Sequence, residues 1–168
     1  MNGQTERSAV RGKTPKRLAA TELKRLSEFR FQLRSFLHFS QEAAEAVGLR
    51  AKQYQLLLAV SGMPEGEAPT IAAVAGRLLL KHNSTVELVD RMMEQGLLRR
   101  VHDPVDHRRI LLRVSDRGEQ LMQSLASFHL EELGTTGPAL LQSLRGVLKS
   151  GQRPERAHKA TAKDAAVV

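Results

Sequence analysis

The chain contains no cysteine, which removes disulfides, thiolate catalysis and thiol-based redox sensing together. No apolar run approaches the roughly 18 residues needed to span a bilayer. The basic N-terminus is followed by neither an apolar h-region nor a small-residue cleavage site, so a soluble, cytoplasmic protein with no membrane partner is expected. No GxxxxGK[ST], HExxH, GxSxG or paired-carboxylate pattern occurs. Enzymatic function therefore gains no support, no residue is assigned a catalytic role and no cofactor is expected. Internal repeats are absent too.

What is present is positive charge, and its placement matters more than its sum. The 168 residues carry 26 Lys+Arg against 18 Asp+Glu, a formal net charge of +8. Residues 1–25 hold seven basic and two acidic groups, and residues 149–168 hold five and two. The remaining 14 basic and 14 acidic residues balance, so the excess sits at the two ends. Within the balanced body, Arg77–Arg117 carries nine basic groups against six acidic. A local excess of this kind suits a polyanion such as nucleic acid, although solubility alone also explains charged ends.

Periodicity supplies the architecture. Residues 1–20 are polar, basic and aperiodic, which predicts a disordered arm. Thr21 is a fair N-cap for a long helix to about Val47, with Leu23, Leu26, Leu33, Phe36, Leu37 and Phe39 apolar, and Gly48 ends it. A second helix spans Lys52–Ser61, and a loop rich in Gly and Pro leads to Thr70, the cap of a third helix bearing Ile71, Val74, Ala75 and Leu78. His82–Gln95 forms a fourth helix with Val86, Val89 and Met93 inward, broken by Gly96. Its start has two readings: Ser84-Thr-Val-Glu87 matches a capping box with Ser84 as N-cap, whereas an earlier start lies near His82. Leu97–His102 and Arg109–Val114 then flank the turn Asp-Pro-Val-Asp-His-Arg. Ser115 caps a fifth helix to Leu133 with Leu121, Leu125 and Phe128 spaced for burial. Gly134-Thr-Thr-Gly-Pro138 interrupts it, and Pro138 opens a sixth helix, Ala139–Lys149, bearing Leu140, Leu141, Leu144 and Leu148. Residues 150–168 read as a disordered tail.

Two short helices followed by a basic hairpin form a winged helix-turn-helix, a unit that lays its second helix in the major groove and its wing along the backbone or minor groove. The fold class is thus mainly α: a winged helix-turn-helix lobe with a two-stranded β-wing, plus a base of long N- and C-terminal helices. Arg108 and Arg109 at the hairpin tip offer fork-shaped donors whose charge never titrates. Asp106, two residues before Arg108, is placed to hold a guanidinium, and Asp103-Pro104 suits the turn. The cluster His102-Asp103…Asp106-His107 contains metal-ligand types. Neighbours on a strand point to opposite faces, however, so no metal site is assigned. His38 and Tyr54 are polar-capable groups on the apolar faces of the first two helices, of functional interest only beside a cavity.

The span from about Glu22 to Leu148 resembles the MarR family of bacterial transcription regulators. The likeness rests on Asn-Ser-Thr-Val-Glu-Leu-Val-Asp-Arg-Met-Met-Glu-Gln-Gly-Leu-Leu-Arg-Arg (83–100) and on Asp103-Pro-Val-Asp-His-Arg-Arg-Ile-Leu-Leu-Arg-Val-Ser-Asp-Arg-Gly118. The second segment is similar to the family's wing signature, an Asp-x-Arg hairpin running into a Ser/Thr-x-x-Gly helix start. The resemblance implies a recognition helix starting near His82, and an obligate homodimer whose base is built by 22–47, 116–133 and 139–148. The winged lobe would be 50–115 within a domain of 21–149. It further implies that Asn83, Ser84, Thr85 and Glu87 face the major groove from the helix that His82 opens. Arg91, Lys81 and Arg77 would lie on the backbone, and Arg108, beside Arg109 and steadied by Asp106, in the minor groove. An effector pocket would lie around Phe36, His38, Phe39 and Tyr54. One departure is that Leu49-Arg-Ala51 offers no capping oxygen, leaving the second helix to fray or to use Arg50 otherwise.

The expected partners are therefore double-stranded DNA with a pseudo-palindromic operator, a second copy of the chain, and a small aromatic or lipophilic effector that releases a repressor. A winged-helix module that binds protein without DNA sequence specificity is the alternative. A metal-dependent enzyme built on the wing cluster lacks a converging catalytic set.

Overall fold

Seven elements follow in order in the computed structural model, which describes residues 17–151: α1 (Ala20–Ala46), α2 (Ala51–Ser61), α3 (Ile71–Arg77), α4 (His82–Glu94), β1 (Leu98–His102), β2 (Ile110–Val114) and α5 (Asp116–Gly151). The expected terminal arm and tail lie, for residues 1–16 and 152–168, outside the described residues. The fold is mainly helical with one antiparallel pair of strands, as the periodicity predicts. The chain divides into two compact units: the segments up to Gln32 and from Ala139, and the segment Leu33–Pro138.

Local chemistry explains most boundaries. Gly48 (φ 78°) and Gly96 (φ 67°) end α1 and α4 in the left-handed region that costs glycine nothing. Thr70 Oγ1 accepts the Ala73 N–H at 3.2 Å and so caps α3 as expected. The first turn of α1 uses a different group from the one expected. The helix starts at Ala20, which places Thr21 inside its first turn instead of at the cap, and Glu22 Oε2 accepts the Ala19 N–H at 2.7 Å. α2 has its missing cap replaced from inside the helix, because Gln53 Oε1 accepts the Arg50 N–H at 2.8 Å. The Gln53 side chain is buried, and its Nε2 donates to Gln95 Oε1 at 2.6 Å, fastening the start of α2 to the end of α4.

α5 corrects the expected break at 134–138. It is one helix of 36 residues with Pro138 inside it, not two helices ending at Leu133 and starting at Ala139. Proline removes one intrahelical hydrogen bond and crowds the carbonyl four residues earlier. That carbonyl belongs to Gly134. The leucines at 130, 133, 140, 141, 144 and 148 keep one helical phase across the proline, so a single lost bond does not redirect the chain. Thr135 and Thr136 donate their hydroxyls back to Glu131 O and Glu132 O, which keeps these polar groups paired within the helix.

Within Leu33–Pro138 the core collects Leu56 and Leu57 of α2, Val74 of α3, Val89 and Met92 of α4, Leu97 and Leu112 of the wing and Leu125 of α5, all fully or almost fully buried. Each such leucine contributes about 1.5–3 kcal/mol of apolar burial. β1 and β2 pair from Leu98↔Val114 to His102↔Ile110. Leu112 N–H also donates to Pro69 O at 2.8 Å, tying the wing to the loop before α3. Ser115 accepts the Gly118 N–H at 3.1 Å and donates to Gly96 O at 2.6 Å. A Cβ at Gly118 would collide with Leu97 O and Val114 Cγ1. The Ser-x-x-Gly pattern is thus a cap plus a close approach: the serine closes α5 onto the end of α4, and only glycine fits beneath β1.

Candidate nucleic-acid interface

α4 begins at His82 with Lys81 as N-cap, so the earlier of the two possible starts is the observed one. Its apolar face differs from the expected set by one residue of phase. Thr85, Leu88, Val89 and Met92 are buried, while Val86 and Met93 are only partly so. Thr85 is completely buried, and its hydroxyl donates to Lys81 O at 3.1 Å. This corrects the expectation that Thr85 faces the major groove. His82, Asn83, Ser84, Glu87 and Arg91 are exposed on the opposite face. The exposed helix start combines unpaired backbone N–H groups, a positive dipole end, an amide and a hydroxyl, which suits base edges and phosphates.

Arg117 donates to Gln95 O at 3.2 Å, and several of the other surrounding cations are ion-paired. Arg100 pairs with Asp90 at 2.7 Å, Arg109 with Asp103 at 3.6 Å and Arg99 with Asp116 at 3.9 Å, so these brace the wing. Arg77, Lys81, Arg91 and Arg108 are exposed and make no ion pair among the described residues. Those four remain available to a polyanion.

The wing turn is organised by Asp103, which sequence reasoning left as a turn former. Its carboxylate is buried, with Oδ1 accepting the N–H of Val105 at 2.9 Å and of Asp106 at 3.4 Å, and with Oδ2 facing Arg109. The Val105 N–H holds the carboxyl below its ordinary range. Partial burial opposes that shift, while the Asp106 N–H and the nearby Arg109 and His107 reinforce it. Contrary to the expectation that Asp106 holds the Arg108 guanidinium, its Oδ1 accepts the Arg108 backbone N–H at 3.1 Å. The effect is still to shape the tip, through the main chain, with Arg108 projecting. His102 Nδ1 lies 3.0 Å from His107 O. Among the described residues no three His, Asp or Glu side chains gather at a metal-binding position.

The aromatic cluster of Leu33–Pro138 contains a different histidine from the one expected. His38 is exposed and faces Glu42 at 3.5 Å, outside the cluster. His129 of α5 occupies the centre, 7% exposed. Its ring stacks on Tyr54 at 4.8 Å and meets Phe39 and Phe36 edge-on at 5.6 and 6.0 Å. Nδ1 lies 2.6 Å from Leu125 O, so that nitrogen carries the hydrogen, and in the neutral ring Nε2 accepts from Ser40 Oγ at 2.7 Å. Burial pushes the Tyr54 phenol above its ordinary pKa, keeping it neutral. His129 was findable in principle, since it lies four residues after Leu125 on the same helical face.

Residues 47–109 match the sequence model of the MarR family. A Bacillus subtilis protein described as an uncharacterized HTH-type transcriptional regulator, YsmB, is 33% identical over 64 residues. That match covers 38% of this chain and spans 44% of the relative's length, less than half of it. Among solved structures, AbsC from Streptomyces coelicolor, a MarR family transcriptional regulator, superposes with a TM-score of 0.64 at 20% identity, covering 82% of this chain and 94% of its own. CouR from Rhodococcus jostii RHA1 bound to p-coumaroyl-CoA superposes with a TM-score of 0.56 at 25% identity, covering 74% and 88%.

Proposed function

We propose, from the premise that this chain carries the winged helix-turn-helix of the MarR family, that it is a homodimeric, sequence-specific DNA-binding repressor. One observation carries the reading. The exposed start of α4 presents Asn83, Ser84 and Glu87 together, while Arg77, Lys81, Arg91 and Arg108 make no ion pair among the described residues. Unpaired cations around a polar helix start suit a duplex, which supplies phosphates to the first and base edges to the second. Asn83 offers the amide that pairs with an adenine edge, and Glu87 an acceptor for a cytosine amine. Arg108, on a tip shaped by Asp103 and Asp106, enters the minor groove or meets phosphates.

Dimerisation is supported by the long helices. Leu23, Leu26, Leu33 and Leu37 of α1, and Leu130, Leu141, Leu144 and Leu148 of α5, are all substantially exposed in the single chain. A repeating apolar stripe of that extent calls for a partner surface, and two-fold symmetry is the commonest way to supply it. The base so proposed is 22–47 with the two halves of α5, 116–133 and 139–148. Effector release draws support from the ring cluster of Phe36, Phe39, Tyr54 and His129, whose chemistry suits an aromatic or lipophilic molecule, and from CouR's bound p-coumaroyl-CoA.

The test is binding of the intact protein to duplex operator DNA selected from random sequence. Two symmetric lobes require half-sites about 10–10.5 bp apart, so inserting about five base pairs turns one half-site to the wrong face and abolishes tight binding. Unchanged affinity after insertion, or an equal preference for every sequence, overturns the proposal.

A further inference from the structure

Between the C-terminal turns of α1, the start of α2 and the second half of α4 lies an open cleft of about 600 Å³. Arg50, just before α2, and Lys52 of α2 line it on one side and Arg91 of α4 on the other. We infer that this cleft is a second backbone-gripping site, in which Arg50, Lys52 and Arg91 hold a phosphodiester of the duplex at the rim of the groove that α4 reads. The inference rests on the proposed DNA-binding function and adds α2 to the DNA surface, which neither the sequence pattern nor the wing indicated.

The charge of the cleft favours an anion. All three cations are exposed, and none has an ion-pair partner among the described residues. Glu45 is the one carboxylate in the lining, and it accepts the Gln41 amide at 2.9 Å. The two walls are held at a fixed separation by buried Gln53, which accepts the Arg50 N–H with one end and donates to Gln95 with the other. Arg50 and Arg91 are therefore anchored across the cleft by a packed amide instead of floating on separate helices.

Geometry decides which anion. Arg91 lies seven residues after Ser84, close to two full helical turns, and so shares the face that carries Ser84 and Glu87. Seven residues advance about 10.5 Å along the helix axis, against a major groove about 12 Å wide. A helix whose first turn touches base edges thus brings Arg91 to the groove's phosphate rim, with Arg50 and Lys52 beside it. A free small anion would draw little from three solvated side chains, since exposed charge pairs are weak and screened by salt. A duplex gains by releasing condensed counterions for every phosphate neutralised.

The experiment compares the intact protein with Arg50→Gln/Lys52→Gln/Arg91→Gln, and with Arg91→Gln alone. Affinity for the operator duplex is measured across salt concentrations and across a series of duplexes each carrying one uncharged methylphosphonate. Freeing the one phosphodiester that the three side chains hold should flatten the slope of log K against log salt by about 0.9 for each engaged lobe. With both lobes of the dimer engaged, a fourfold rise in salt then costs the wild type about 12 times more affinity than the triple variant. One or two methylphosphonate positions per half-site should weaken the wild type and leave the triple variant indifferent, with Arg91→Gln intermediate. The methylphosphonate series on wild type needs no folded variant to be informative. If the wild type binds duplex DNA but every position weakens it and the triple variant alike, and the slopes are equal, this site is wrong while DNA binding stands. If the wild type shows no salt-dependent duplex binding, both are overturned.

Discussion

His129 Nε2 stands 2.7 Å from Ser40 Oγ, and that hydrogen bond joins two buried side chains 89 residues apart in sequence. It lies at the centre of the ring cluster proposed as the effector site, so the cluster is organised by a polar pair and not by aromatic packing alone. Removing only the serine hydroxyl leaves a buried nitrogen without a partner, which costs about 1–3 kcal/mol. Ser40→Ala should therefore lower the unfolding free energy by that amount. In a denaturant cycle with His129→Leu, the double variant should lose less than the sum of the single losses. Additive losses would show that the pair is not coupled.

Arg108→Ala and Asn83→Ala should fail in different ways. Loss of Arg108, which has no ion-pair partner among the described residues, should weaken binding to all sequences and flatten the salt slope by about one unit. Loss of the Asn83 amide should relax preference at one base pair per half-site, by about 1–3 kcal/mol of discrimination. Competition binding against single-base operator variants separates the two. Equal loss of specific and non-specific binding in both variants would contradict the division.

Asp103 should make wing stability depend on pH. Its folded carboxyl titrates below the ordinary value, chiefly through the Val105 N–H. The stabilisation is therefore full above the unfolded value near about pH 4 and is lost as the pH falls through the lower folded value. Asp103→Asn keeps the shape and removes the charge. Hydrogen exchange at Val105 and Asp106 should show faster opening in the variant at neutral pH, with the difference from wild type shrinking below about pH 4. A difference independent of pH would rule out the charge as its source.

Gly118→Ala should destabilise the protein by about 1–3 kcal/mol, the usual cost of overpacking, because the added Cβ meets Leu97 O and Val114 Cγ1. A backbone carbonyl cannot step aside as a flexible side chain can. Chemical denaturation checks the loss. A neutral effect would mean that β1 and the start of α5 shift apart freely.

Leu79 predicts the opposite sign. It sits in the turn between α3 and α4 with φ 54°, 92% exposed. A leucine there pays about 1–2 kcal/mol in left-handed strain and recovers almost nothing by burial. Leu79→Asn should raise the melting temperature, since asparagine tolerates this region. An unchanged or lower value would indicate that the leucine is packed in the assembled protein.

The order of elements, the two strands of the wing and the Ser115 cap were legible in the sequence because each depends on neighbours within a few residues, whereas the start of α4 at His82 followed from the family resemblance and not from the local capping-box pattern at Ser84. Glycine after a helix, a hydroxyl before one and alternating apolar residues act through local dihedrals and short hydrogen bonds. Tertiary structure decided the rest. Thr85 is inside because its hydroxyl bonds Lys81 O, which lets a polar residue occupy the core phase that the apolar pattern had given to Val86. The wing carboxylate that folds inward is Asp103, since Oδ1 reaches two N–H groups and Oδ2 meets Arg109 only once the strands are paired. His129 replaces His38 in the ring cluster because the packing of distant segments, Ser40 and Tyr54 against α5, chooses which histidine is buried. α5 runs through Pro138 because the leucines on both sides share one phase. A local breaker signal costs one hydrogen bond, and only the assembled helix shows whether that cost ends it.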